Sequence, residues 1–169
     1  MNKDQINIFI VEDNEVFRIA LKSDIETAFS EKSLAIHTFE TGEAAMQKFK
    51  TVKPQVVILD YNLDSKVQKA ANGIAVMDLI KKEDPETNVI LLTSEDSLSI
   101  ATTAFKHGAS DYVVKTETKF AKINFSLANL FRKIDADADA KKSKLLSVIL
   151  FFGIALVIIA MFAFQYCRK

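Results

Sequence analysis

The sequence has one cysteine, Cys167, and two histidines, His37 and His107, in 169 residues. A single thiol excludes a disulfide framework and any cysteine-based metal cluster. Two histidines this far apart give no histidine metal motif. They read as ordinary surface or half-buried residues, and Cys167 reads as a plain thiol. A secretory leader pattern is also missing. After Lys3 and Asp4 only a short apolar stretch precedes Glu12 and Asp13, too short and too polar for a signal peptide. A cytoplasmic body is the expectation. Finally, neither sign of charge dominates: 22 Lys and Arg balance 22 Asp and Glu. That balance argues against an electrostatic nucleic-acid binder and against a disordered acidic or basic chain.

The balance hides a division. Residues 1–140 hold 17 basic and 22 acidic side chains, whereas residues 141–169 hold five basic and none acidic. The second part contains LLSVILFFGIALVIIAMFAF, residues 145–164, which carries no charge. A helix of ~20 residues rising ~1.5 Å each spans ~30 Å, the thickness of a bilayer's hydrocarbon core. Every face of it is apolar, unlike an amphipathic surface helix. Lys141, Lys142 and Lys144 precede the run, and Arg168 and Lys169 follow it. Gln165 and Tyr166 suit an interface. The expectation is one transmembrane helix over 145–165 with a short tail at 166–169. It acts as a single-pass C-terminal anchor with the body facing the cytoplasm. The stretch DADADA at 135–140 lies within a polar spacer, 135–144. It is read either as a solvated connector or as helix continuing into the anchor, which pairs such as Asp137 with Lys141 would support.

The body, residues 1–134, alternates apolar runs with helix-period stretches. Apolar runs at Ile6–Val11, Leu34–Phe39, Val56–Leu59, Val89–Leu92 and Tyr112–Val114 predict five strands. Between and after them, apolar residues recur every three or four positions. The sets are Phe17, Leu21, Ile25; Ala45, Met46, Phe49; Val76, Leu79, Ile80; Leu98, Ala101, Phe105; and Phe120, Ile123, Leu127, Leu130, Ile134. Five β–α pairs with fully apolar strands imply an α/β fold: a doubly wound five-stranded parallel sheet covered by helices on both faces. In such sheets ligands bind beyond the carboxyl ends of the strands, at the switch point of the strand order. In the flavodoxin-like order 2-1-3-4-5, Glu12, Asp13, Asp60, Thr93 and Lys115 converge on one edge.

That convergence has chemical content. Three carboxylates at one edge repel one another and require a cation. Oxygen-only ligands suit a hard ion, and Mg²⁺ retaining several waters fits best. Asp60 can act as a nucleophile on a phosphoryl group, giving an aspartyl phosphate. Lys115 supplies a second positive charge and Thr93 a hydroxyl. Positioning and charge neutralisation then supply the catalysis.

The stretches IFIVEDN, TFETGEAAM, VVILDYNL, VILLTSED and AFKHGASDYVVK resemble the receiver domain of bacterial response regulators, over roughly residues 5–134. The resemblance implies that Asp60 is the phosphoacceptor and that Asp13 and Asp60 ligate Mg²⁺ with the backbone carbonyl of Asn62. It implies that Glu12 supports the metal, that Lys115 and Thr93 contact the phosphoryl group, and that Thr93 and Tyr112 form the switch. Asn62 and Glu95 occupy positions that tune dephosphorylation, and Ser94 is small enough to leave the phosphoryl group accessible. A phosphoryl lifetime of seconds to minutes is expected. Two departures stand out. Thr116 follows Lys115 where the family usually has proline, and the segment LDSKVQKAAN before Gly73 is longer than the family's loop.

Taken together, the sequence predicts a membrane-tethered single-domain response regulator of a two-component phosphorelay. It is not a conventional turnover enzyme. Its expected partners are a histidine kinase or phosphotransfer protein as donor, an output protein near the membrane and the lipid bilayer, with no DNA. The alternative is a phosphorylation-independent membrane scaffold on the same fold. A phosphohydrolase is disfavoured, because its second acid/base aspartate would stand where Asn62 does.

Overall fold

The computed structural model of the chain describes residues 5–63 and 73–167, without the side chains of 141 and 155–167. Ten elements alternate along it: β1 (Ile6–Val11), α1 (Glu15–Ala28), β2 (Leu34–Phe39), α2 (Gly42–Val52), β3 (Val56–Asp60), α3 (Gly73–Glu83), β4 (Asn88–Thr93), α4 (Leu98–Lys106), β5 (Asp111–Val114) and α5 (Lys119–Cys167). The strands form one parallel sheet in the order β2-β1-β3-β4-β5, as the sequence predicts.

Burial follows from that order. The three inner strands, β1, β3 and β4, are buried at every position, which is why they read as unbroken apolar runs. The edge strands β2 and β5 are only partly buried. One core cluster joins Phe9, Val11, Val57, Leu59, Val89 and Leu91 of the sheet to Ala45 and Phe49 of α2 and to Val76, Met77 and Ile80 of α3. Helix starts are capped locally: the Asn14 side chain accepts from the Phe17 amide at 2.9 Å, and Thr41 Oγ1 accepts from Ala44 at 3.2 Å. Such caps satisfy otherwise orphaned amides.

The helices differ from the periodic reading at particular residues. In α4 the fully buried residue is Ala104, while Leu98 and Phe105 are 84% and 53% exposed. In α3, Leu79 is exposed and Met77 takes the core position.

Two compact units are distinguished, Met1–Leu127 and Ala128–Lys169. The first holds the sheet. In the second, every described residue is helical. The stretch 135–140 is helix and exposed at every position, with Lys142 Nζ 4.0 Å from the Asp139 carboxylate one turn earlier. The expected transmembrane helix is not found: among the described residues, no helix is long and apolar enough to cross a membrane. The ten positions of the run whose side chains are described, Leu145 to Ile154, amount to ~15 Å of helix, half a hydrocarbon core. The remainder of the 145–165 span, the 166–169 tail and the insertion at 64–72 lie, in side chain or entirely, outside the described residues.

Candidate functional site

Strand register assembles the site. Val11 pairs with Leu59, so the next residues, Glu12 and Asp60, emerge side by side at the carboxyl edge. Asp60 pairs with Leu92, which puts Thr93 one step further along β4. Thr93 pairs with Val114, and the Lys115 amide donates to the Thr93 carbonyl at 2.7 Å. Glu12, Asp60 and Thr93 are 1%, 2% and 0% exposed. Acidic groups this deep in a domain require charge partners.

Lys115 provides one. Its Nζ lies 2.7 Å from Glu12 Oε2 and 2.8 Å from Asp60 Oδ2, and its side chain is only 15% exposed. Asp13 completes the acidic group: Glu12, Asp13 and Asp60 each offer a carboxylate oxygen, all within 4.8 Å of one another. Burial pushes the Glu12 carboxyl up to about 7, and the charge of Asp60 pushes the same way against Lys115 and the Asn14 amide. For Lys115, burial works against the charge, and its hydrogen bonds to Asp60 and Glu12 outweigh it, so the ammonium is held above its ordinary value. A carboxylate whose proton affinity is raised by a second carboxylate has use for a further cation. Hard oxygen donors around a partly open edge fit Mg²⁺, with Asp13 less buried than its neighbours and able to face solvent ligands.

The remaining predicted residues surround this centre. The Asn62 amide donates to Asp60 Oδ1 at 3.3 Å, closing a turn directly after the strand, and Asn62 itself is exposed. Thr93 Oγ1 accepts from the Glu95 amide at 3.0 Å, and the Tyr112 hydroxyl donates to the Glu95 carbonyl at 2.7 Å. Thr93 and Tyr112 thus both hold the backbone of one loop residue, while the Glu95 side chain is exposed. No cis peptide bond occurs among the described residues, so the Lys115–Thr116 bond is trans.

Two residues of the site escape the motif reading. Arg18 Nη1 donates to the carbonyls of Glu12 and Asp13, the latter at 3.3 Å, and so braces the acidic loop. Phe17 lies with its ring centroid 5.0 Å from Lys115 Nζ. Both stand in the first turn of α1, beside the edge where β1 ends. That position in a β–α unit is the available signal; periodicity assigns Phe17 only to the core.

Comparison with known proteins places this geometry in context. The family model described as the response regulator receiver domain matches residues 8–123. The chain is 30% identical over 116 residues to the transcriptional regulatory protein DegU of Brevibacillus brevis, covering 68% of this chain and 46% of that protein. It is 30% identical over 107 residues to the DNA-binding transcriptional regulator NtrC of Klebsiella pneumoniae, covering 63% and 21%. The chain thus spans less than half the length of these relatives. Among solved structures, it is similar to the receiver domain of a LuxO repressor protein from Vibrio parahaemolyticus, with a TM-score of 0.66 and 25% identity. That match covers 79% of this chain and 95% of the other. It is also similar to a BeF₃-activated DrrB receiver domain, with a TM-score of 0.56 and 27% identity, covering 73% and 98%.

The relatives correct the expected partner set of kinase or phosphotransfer protein, membrane-proximal output protein and lipid, with DNA excluded. NtrC of Klebsiella pneumoniae and of Escherichia coli are DNA-binding regulators by name, so excluding DNA does not follow from this kinship. The reason is coverage: the match spans the receiver, which is a minor part of those chains, and it carries no information about an output or a lipid partner.

Proposed function

Because this chain belongs to the response regulator receiver family, we propose that it is a phosphorylation switch in which Asp60 accepts a phosphoryl group. The observation that carries the reading is the setting of Asp60. It is buried at the end of β3, its Oδ2 lies 2.8 Å from Lys115 Nζ, and Glu12 and Asp13 stand beside it. An Asp60 carboxylate oxygen attacks the phosphorus of a donor. The donor's bond to phosphorus breaks, and its electron pair leaves with the donor. Lys115 moves from carboxylate to phosphoryl oxygen and offsets the charge that builds there. Glu12, Asp13 and Asp60, with the Asn62 carbonyl, would hold Mg²⁺, which when bound neutralises the carboxylates and the phosphoryl oxygens.

Thr93 donates its hydroxyl to the new phosphoryl group and releases the Glu95 amide. Tyr112, bound to the same residue's carbonyl, follows it. This two-state loop is the element that phosphorylation biases. Asn62 and Glu95, both exposed at the mouth, tune the attack of water on the aspartyl phosphate.

The test is to expose full-length protein to phosphoramidate and Mg²⁺ and to weigh the intact chain. Wild type is expected to gain one phosphoryl group, and Asp60→Asn none. Equal labelling of both, or no labelling of either, would overturn the reading.

The proposal extends to location: residues 145–164 cross a bilayer once, with the receiver in the cytoplasm, where Mg²⁺ and phosphoryl donors are found. Its support is the uncharged 20-residue run between basic flanks and the exposure of eight large apolar side chains between Leu145 and Ile154. A continuous apolar surface of this kind is not left to water. Full-length protein is expected in the membrane pellet until detergent is added. Recovery in the soluble fraction without detergent would reject the span.

A further inference from the structure

Lys115 has three polar demands on it: Glu12, Asp60 and, in the proposed function, an incoming phosphoryl oxygen. Its ammonium has three protons. A hydrogen-bonding neighbour that held the lysine in place would consume one of them. The structure offers a different kind of neighbour. Lys115 Nζ sits 5.0 Å from the centroid of the Phe17 ring. Phe17 is stacked on Phe120, with centroids 5.6 Å apart and planes inclined by 21°. Lys119 lies over the same pair, 5.9 Å from Phe17 and 5.4 Å from Phe120.

Phe17 is not needed for the core. The core positions of α1 are Leu21 and Ile25, both fully buried, while Phe17 is only half-buried. The Asn14 cap fixes the amide of Phe17 itself, so the ring is delivered to the site edge by the first turn of the helix. Phe120 comes from the first turn of α5, just after the loop that carries Lys115. Two helix starts therefore supply one stacked ring pair, of which the Phe17 ring faces the lysine.

We propose that Phe17, backed by Phe120, is a positioning residue for Lys115, its ring face holding the ammonium at the Glu12–Asp60 edge without occupying any of its protons. The attraction of a ring face for a cation is broad in direction. The ammonium can slide from the Asp60 carboxylate toward a phosphoryl oxygen while staying over the ring. A hydrogen bond would have to break for the same movement. The inference rests on the reading of Asp60 as phosphoacceptor and names a residue that tunes its rate.

Two measurements on full-length protein in mild detergent with Mg²⁺ test it. In carbon–proton correlation spectra, the Lys115 ε-methylene protons, identified by their loss in Lys115→Arg, are expected upfield of other lysines because of the ring current. Phe17→Leu removes that shift and Phe17→Tyr keeps it. In the second measurement, intact mass follows the rate of Asp60 phosphorylation by phosphoramidate. Phe17→Leu is expected to be about two- to fivefold slower, the size of a partly exposed cation–π contact, and Phe17→Tyr to recover. Thermal midpoint and Mg²⁺ affinity stay unchanged in both variants, which a merely structural role would not allow. If Phe17→Leu lowers the midpoint, a ring-fluorinated phenylalanine at position 17, alike in shape and weaker in its ring face, carries the same expected slowing. Equal rates in Phe17→Leu and wild type, or equal slowing in Phe17→Leu and Phe17→Tyr, overturn the proposal. Wild type that takes no phosphoryl group defeats the proposed function instead, and the ring-current measurement still decides whether Phe17 holds Lys115.

Discussion

Gly73 shows how tightly the site is built into the backbone. It opens α3, and its amide donates to the Tyr61 carbonyl at 2.8 Å. A Cβ at this position would fall well inside contact with the Asp60 carbonyl and the Tyr61 Cα, both of them backbone atoms. Neither can rotate away, so the chain itself must shift. Gly73→Ala is expected to cost about 1–3 kcal/mol, the usual penalty of overpacking, and to lower the urea midpoint with the slope unchanged. Because the Asp60 carbonyl is among the displaced atoms, Mg²⁺ affinity is expected to fall with it. An unchanged midpoint in a urea titration would contradict this account. The same scale separates what the sequence discloses from what it does not. Glu12, Asp60, Thr93 and Lys115 are legible because each is a polar residue ending an apolar strand, where a parallel sheet can only place it at the carboxyl edge. Phe17 and Arg18 are not, because a phenylalanine and an arginine in a first helical turn have ordinary uses everywhere.

Helix α4 shows the limit of reading elements by apolar periodicity. Its sequence, LSIATTAFK, carries apolar residues at 98, 100, 101, 104 and 105, and two stripes can be drawn through them. The larger side chains favour the stripe of Leu98, Ala101 and Phe105. The observed burial favours Ala104, fully buried, with Ile100 and Ala101 half-buried. A small residue lets the helix backbone approach the sheet closely, and reading by size misses that. Leu98→Ser is accordingly expected to change stability by no more than about 0.5 kcal/mol. Ala104→Leu is expected to cost about 1–3 kcal/mol. Chemical denaturation of the two variants distinguishes the stripes, and the reverse ranking would restore the periodic one. The strands escape this ambiguity: a run buried on both faces has no side to choose, and β1, β3 and β4 are legible almost to the residue for that reason.

At the scale of the whole molecule, the zero net charge resolves into an acidic body and a basic, apolar tail. The compact units carry the same division less sharply: Met1–Leu127 has 15 basic and 19 acidic residues, and Ala128–Lys169 has seven basic and three acidic. The first is stabilised by contacts between residues distant in sequence, since every strand pair is a crossover. The second is helix throughout its described residues, and its backbone bonds reach only four residues back. Damage to the second unit is therefore local in a way that damage to the sheet is not. Ala138 is exposed in the helix interior. Ala138→Pro removes one amide donor and sets the proline ring against the Ile134 carbonyl, a cost of about 3 kcal/mol borne by the neighbouring turns. Circular dichroism is expected to register lost helix. Mg²⁺-dependent beryllofluoride binding and the melting midpoint of the sheet domain are expected to stay at wild-type values. A parallel loss of all three would mean that the long helix and the sheet fold as one cooperative body, and that the Glu12–Asp60 edge depends on residues beyond Leu127.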